Sequence, residues 1–74
     1  MTLKGRISSI DDVHRINAVA TKAPFVMYAT TSTSCQDCRS FVGLFPMIGE
    51  EVSITAGDGV DPKLFEKLFK QMKI

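Results

Sequence analysis

The chain has 74 residues, 45% of them hydrophobic and 23% charged, and its net charge is +1. A chain of this length forms one domain, residues 1–74, and its ordinary globular composition excludes a disordered protein. The balanced charge argues against a nucleic-acid-binding domain, and the lack of any apolar run near the roughly 20 residues of a membrane span leads us to expect a cytoplasmic protein.

The first half of the chain predicts a helix followed by a strand. Ser9 can act as a helix N-cap with Asp12 three residues later, and apolar residues at helical spacing follow them. We therefore expect a helix over residues 9–22, which ends before Pro24 because proline disfavours helical geometry at the residue that precedes it. The continuous apolar run at residues 25–28 then predicts a buried strand that is parallel to its neighbours.

A second helix is predicted around the two cysteines. Residues 30–34, TTSTS, are expected to form a polar loop whose hydroxyl side chains are good N-caps. The helix is expected to begin near Cys35, because apolar side chains after this residue recur on one helical face. These side chains are Cys38, Phe41, Val42 and Phe45. Pro46 is expected to stop or kink the helix.

The last third of the chain predicts a strand and a helix. The segment EVSIT, residues 51–55, alternates polar and apolar residues as a strand with one buried face does. Asp61 is a predicted N-cap with Pro62 at the first helical position. The apolar face of this third helix is formed by Leu64, Phe65, Leu68, Phe69 and Met72. The sequence also allows a short strand at residues 3–7, and the order of elements predicts an α/β fold with a short parallel sheet flanked by helices.

The two cysteines within residues 31–41, TSTSCQDCRSF, are the only ones in the chain and carry the functional prediction. At a helix start, Cys35 would face unpaired backbone N–H groups and the positive end of the helix dipole, which favour the thiolate and make this residue the nucleophile. Cys38, one helical turn later, would then resolve a mixed disulfide formed on Cys35. Asp37 is expected to raise the pKa of the thiols, and Arg39 is expected to lower it.

Two other uses of the cysteines stay open on the sequence alone. Free cysteine is among the most buried residue types, so both thiols can be small core residues. Alternatively, Cys35 and Cys38 can be half of a metal site, because four thiolates from two copies of the chain would hold zinc or an iron–sulfur cluster. A reducing compartment favours redox use over a permanent disulfide. Thiol–disulfide chemistry is therefore the leading hypothesis, and a non-catalytic binding or assembly module is the alternative.

The order of elements around the cysteines resembles that of the glutaredoxins, over residues 8–74. The matching segments are a leading helix, the strand PFVMYAT, the cysteine segment SCQDCRSFVGLF, the strand EVSIT and a helix opened by DP. The resemblance implies a partial thioredoxin-like fold and an oxidoreductase that reduces protein or small-molecule disulfides. It also implies that Cys35 is the nucleophile and Cys38 the resolving cysteine.

The sequence departs from the glutaredoxins at two places. Thr30 stands where the family usually carries a basic residue that binds the carboxylate of glutathione, so we expect no bound cofactor. The chain ends at Ile74, where a glutaredoxin would continue into its cis-proline loop and a β-hairpin. We therefore expect exposed sheet edges and an uncovered apolar face, which a homodimer or a partner protein would complete.

Overall fold

Four strands and three helices make up the structure, a computed structural model that describes all 74 residues. The strands are β1 (Thr2–Arg6), β2 (Met27–Thr30), β3 (Cys35–Asp37) and β4 (Glu51–Ala56). The helices are α1 (Ile10–Lys22), α2 (Phe41–Leu44) and α3 (Pro62–Met72), and α2 continues into a 3-10 turn over Phe45–Met47. None of these helices has the length and apolarity needed to cross a bilayer. The chain is a small α/β domain.

The four strands form one sheet in the order β1-β4-β2-β3, and every neighbouring pair is antiparallel. The prediction of a parallel sheet is therefore wrong. One reason lies in the loop of residues 31–34 between β2 and β3, which is too short for the crossover that adjacent parallel strands require. Another is that β4 lies between β1 and β2, so these two strands run in the same direction without pairing.

The sheet has one covered face and one open face, because side chains alternate along each strand. The residues on the covered face are Leu3, Gly5, Met27, Ala29, Gln36, Val52, Ile54 and Ala56. All three helices contribute buried side chains to the core on this side. The residues on the open face are Thr2, Lys4, Arg6, Tyr28, Thr30, Cys35, Asp37, Glu51, Ser53 and Thr55. The open face is polar, so the uncovered apolar face that we expected is not present.

The first and third helices begin where their capping residues predict. Asp12 accepts hydrogen bonds from the backbone N–H groups of Ser8, at 2.7 Å, and Ser9, at 3.3 Å. Asp61 accepts one from the backbone N–H of Lys63 at 3.0 Å. Each carboxylate satisfies backbone donors at or next to the start of its helix that have no partner within the helix. Both predicted helices are confirmed, as is the strand predicted at residues 51–55.

The second helix differs from its prediction. Cys35 lies in β3 and not at a helix start, and the helix begins six residues later at Phe41. Its N-cap is Ser40, whose hydroxyl oxygen accepts a hydrogen bond from the backbone N–H of Gly43 at 3.1 Å. Pro46 lacks the N–H that a longer helix would need, which agrees with the short helix and the 3-10 turn that follows it.

Gly5 in β1 lies against the last residue of the chain. A Cβ atom on Gly5 would lie 2.7 Å from Cγ1 of Ile74 and 2.9 Å from its carbonyl carbon. The backbone N–H of Arg6 donates to the Ile74 carbonyl oxygen at 3.1 Å. We expect Gly5→Ala to displace Ile74, break this hydrogen bond and lower the free energy of unfolding by about 1 kcal/mol in urea titrations.

The matched control for this substitution is Lys4→Ala, because Lys4 lies next in the same strand and is exposed. It should change the free energy of unfolding by less than about 0.5 kcal/mol. Equal effects of the two substitutions would contradict the close approach of Ile74 to β1.

Candidate thiol site

Cys35 lies on the open face of the sheet in β3, directly opposite Thr30 of β2. Its side chain is exposed. The hydroxyl of Thr30 donates a hydrogen bond to Cys35 Sγ over 3.4 Å. No helix begins at this cysteine, so the predicted activation of Cys35 by a helix dipole is absent. In this fold the Cys35 thiol is accessible to solvent and accepts one hydrogen bond, from the Thr30 hydroxyl.

Cys38 lies on the covered face, although it follows the end of β3. Its backbone N–H donates to the carbonyl oxygen of Met27 at 2.9 Å, which continues the register of the β2–β3 pair by one residue. The side chain is 0% exposed and belongs to the hydrophobic core. Burial raises the pKa of Cys38 to about 12, and the charges of Asp37 and Cys35 act in the same direction.

The two thiols are therefore separated by the sheet. Residues three apart on an extended strand point to opposite faces, and their Cα atoms lie about 10 Å apart. A disulfide needs Cα atoms within about 4.4–6.8 Å of each other. Cys35 and Cys38 can form a bond only if the backbone between them leaves its extended conformation. The same separation keeps both sulfurs from ligating one metal ion, and no group of three His, Cys, Asp or Glu side chains is placed to hold one.

Asp37 and Arg39 form an ion pair beside the thiols. Arg39 Nη2 lies 2.7 Å from Asp37 Oδ2, and Arg39 Nε lies 3.1 Å from Asp37 Oδ1. Hydrogen bonds from Arg39 hold the pKa of the Asp37 carboxyl below its usual range, and the partner carboxylate raises the pKa of Arg39. Each charge is thus largely compensated by the other. Of the two, only Asp37 contributes to the raised pKa of Cys38.

The segment after Cys38 is a turn that is hydrogen-bonded to the first helix. The backbone N–H of Ser40 donates to the Asp37 carbonyl oxygen at 2.9 Å. Asn17 of α1 donates from Nδ2 to the Arg39 carbonyl oxygen at 2.7 Å. These two bonds fix the path of the chain from β3 into α2. They hold Cys38 in the core as long as the turn is intact.

The hydrogen bond between Thr30 and the Cys35 thiol was not predicted from the sequence. The hydroxyl of Thr31 accepts from the backbone N–H groups of Thr33, at 3.3 Å, and Ser34, at 3.2 Å. This hydroxyl-capped loop closes the β2–β3 hairpin and sets Thr30 opposite Cys35. The available signal was the hydroxyl-rich run at residues 30–34, a composition typical of turns and loops.

A polar cleft lies beside the hairpin but does not include the thiols. Its volume is about 370 Å³, and it lies between the hairpin loop and α2. The residues that line it include Thr31, Ser34, Gln36, Ser40 and Gly43. Neither cysteine lines this cleft, and Cys35 lies instead on the open face of the sheet.

The raised pKa of Cys38 predicts an alkaline loss of stability. Below about pH 9 the thiol is protonated in both the folded and the unfolded chain. Its pKa is raised in the folded protein from an ordinary value of 9.0 to about 12. Between these values the unfolded chain loses the proton while the folded chain keeps it, so the free energy of unfolding should fall as pH rises, by about 4 kcal/mol at pH 12.

This alkaline loss is measured by urea unfolding of the reduced protein between pH 8 and about pH 11. The matched control is Cys38→Ala, which lacks the thiol and should lose less stability over the same range. If the free energies of unfolding of the two proteins fell equally with rising pH, Cys38 would not be a buried, protonated thiol in the folded state.

Comparison of the sequence with protein-family models and with curated proteins gives no match. A proposal for function therefore rests on the chemistry of the thiol site.

Proposed function

We propose that the protein is a thiol–disulfide oxidoreductase in which Cys35 attacks a disulfide and Cys38 resolves the product. The observation that carries the proposal is the contrast between an exposed thiol at Cys35 and a buried thiol at Cys38 with a pKa of about 12. Reactive cysteines are accessible, whereas buried cysteines with raised pKa values are inert. This contrast supports Cys35 as the residue that makes the first attack.

The reaction balances as two successive exchanges. The thiolate of Cys35 attacks one sulfur of a substrate disulfide, forms a mixed disulfide and releases the first substrate thiol. Cys38 then loses its proton and attacks Cys35 Sγ as the thiolate, which releases the second substrate sulfur as a thiol and leaves a Cys35–Cys38 disulfide. The substrate has gained two electrons from the cysteine pair, and an external thiol reductant must return them. Such a reductant is available in the cytoplasm, where we place the protein.

The surroundings of Cys35 support this first step. The residue lies on the edge strand β3, on the face that no helix covers. A protein disulfide or a small-molecule disulfide can therefore approach the sulfur without displacing any element of the fold. The hydrogen bond from Thr30 fixes the position of the thiol on that face.

The proposal takes from the glutaredoxin resemblance the different roles of the two cysteines. It does not depend on a helix start at Cys35 or on a parallel sheet. Thr30 supplies a hydroxyl to the thiol and no positive charge, so the proposal includes no glutathione site. The alternative of a shared metal in a dimer lacks comparable support, because the two thiols lie on opposite faces.

Trapping of the mixed disulfide tests the proposal. Reduced Cys38→Ser protein is mixed with a small disulfide, and its adducts are located by mass spectrometry of peptides. We expect one adduct per chain, on Cys35, which persists because no second thiol can resolve it. The wild-type protein should show the same adduct only transiently and should release the second substrate thiol. Absence of an adduct on folded Cys38→Ser protein, with an adduct on the same protein in urea, would refute the proposed exchange.

A further inference from the structure

The position of Cys38 raises a geometric problem for the resolving step. The strand keeps the Cα atoms of Cys35 and Cys38 about 10 Å apart, beyond the reach of a disulfide. We infer that resolution is gated by local opening of β3, so that oxidation of the cysteine pair converts an ordered end of the sheet into a disordered one. This inference rests on the proposed function and adds a redox-dependent conformational switch to it.

Formation of the disulfide requires specific contacts to break. The hydrogen bond from the Cys38 backbone N–H to the Met27 carbonyl oxygen, 2.9 Å long, must be lost when the strand curls. The Cys38 side chain, 0% exposed in the reduced protein, must leave the core. The turn bond from Ser40 to Asp37 lies directly beside this movement. Ser40 is also the N-cap of α2, so the start of that helix is disturbed as well.

The strand that must open is short and lies at the edge of the sheet. β3 has three residues and pairs on one side only, with β2. α2 has four residues. Short edge strands and single helical turns have low free energies of local opening. The remaining sheet pairs, between β1 and β4 and between β4 and β2, do not involve the cysteines. The opening can therefore be local.

The gated step is balanced without any additional oxidant. The mixed disulfide on Cys35 is the electron acceptor, and the thiol of Cys38 is the donor. One sulfur–sulfur bond forms between the two cysteines as the bond to the substrate breaks. The proton of Cys38 ends on the departing substrate thiol. Opening also brings Cys38 into water and removes the burial that raises its pKa in the closed state.

Amide hydrogen exchange on the oxidised protein tests the inference. The Cys35–Cys38 disulfide is formed in urea with a small disulfide, and the oxidised chain is then returned to buffer. We expect the amide of Cys38 and that of Leu44, which donates to Ser40 in the reduced protein, to exchange at least about tenfold faster than in the reduced protein. The amide of Ile7, which donates to Glu50, should keep its protection. Reduction of the disulfide should restore both exchange rates.

Two outcomes would overturn the inference. An oxidised protein whose Cys38 amide is as protected as in the reduced protein would show that the disulfide fits the closed strand. Equal loss of protection at Ile7 would show that oxidation unfolds the whole domain. Failure of the proposed function is distinguishable, because in that case Cys35 of the reduced, folded protein would form no adduct. The hydrogen-exchange experiment still tests the inference in that case, because its disulfide is formed in urea and does not require Cys35 to react in the folded protein.

Discussion

Replacement of Cys35 by serine should abolish disulfide exchange by the folded protein. The thiol that remains, Cys38, is buried in the core and has a pKa of about 12 in place of 9.0, which leaves roughly 1000-fold less thiolate at neutral pH. Only the thiolate attacks a disulfide, and Cys38 is also out of reach of substrate. We expect the reaction of folded Cys35→Ser protein with a chromogenic disulfide to be slower than that of wild type by at least about 50-fold, because the smaller thiolate fraction outweighs the greater nucleophilicity of a thiolate of higher pKa and burial adds to the effect.

The control for this prediction is Cys38→Ser, which keeps the exposed thiol. Its first reaction with the same chromogenic disulfide should proceed at a rate close to that of wild type, although it cannot resolve the product. Urea should restore fast reaction of Cys38 in the Cys35→Ser protein, because unfolding exposes the buried thiol. If folded Cys35→Ser protein reacted as fast as wild type, Cys35 would not be the cysteine that attacks the disulfide.

Replacement of Phe65 by alanine should have the largest effect on stability. Phe65 of α3 is the largest of the fully buried side chains and belongs to the hydrophobic core to which the helices and the sheet both contribute. Removal of a buried phenylalanine costs about 3–5 kcal/mol, a large share of the stability of a domain of this size. We expect Phe65→Ala to be largely unfolded at 37 °C, as measured by circular dichroism during thermal and urea unfolding.

Phe45→Ala is the matched control, since the same atoms are removed from a side chain that is 54% exposed. It should lower the free energy of unfolding by less than about 1 kcal/mol. Similar destabilisation by the two substitutions would mean that Phe65 is not buried in the core as described.

The helices with strong end signals were predicted correctly from the sequence. Ser9 and Asp61 are capping residues next to regular apolar patterns, and the information that places each helix is local. The N-cap of the second helix, Ser40, is equally local, but it was missed because apolar residues from Cys38 onward fit a helical face that starts earlier. The spacing of the apolar residues alone could not distinguish a helix that begins near Cys35 from one that begins at Phe41.

The sheet could not be derived in the same way, because the state of β3 depends on a partner. Residues 35–37, CQD, have no strong preference for a strand. They become one because the loop of residues 31–34 folds them back onto β2. The parallel orientation was inferred from an apolar run at residues 25–28, whereas the observed β2 begins at Met27 and alternates between buried and exposed residues. The orientation of the strands depends on pairing between segments that are distant in the sequence, and local sequence patterns do not show such pairing.

The geometry of the candidate site differs from the one that the sequence predicted. Cys35, Cys38, Asp37 and Arg39 are near neighbours along the chain and their functional role stays a prediction, but the fold arranges them differently from a helix. It does not place Cys35 at a helix start, and it puts the two thiols on opposite faces of the sheet. This placement follows from strand periodicity, in which residues three apart diverge, whereas on a helix they would lie side by side.

The number of thiols that react in the folded protein tests the central claim most directly. Fully reduced protein is mixed with excess chromogenic disulfide under native conditions and in urea, and the thiols released are counted against time without oxygen. The location of Cys35 on the open face and of Cys38 in the core predicts that the folded chain releases one chromogenic thiol fast, through attack by Cys35, and a second one more slowly, when Cys38 resolves the mixed disulfide. In urea both should be released fast. Two thiols that react equally fast in the folded protein, or none, would contradict it.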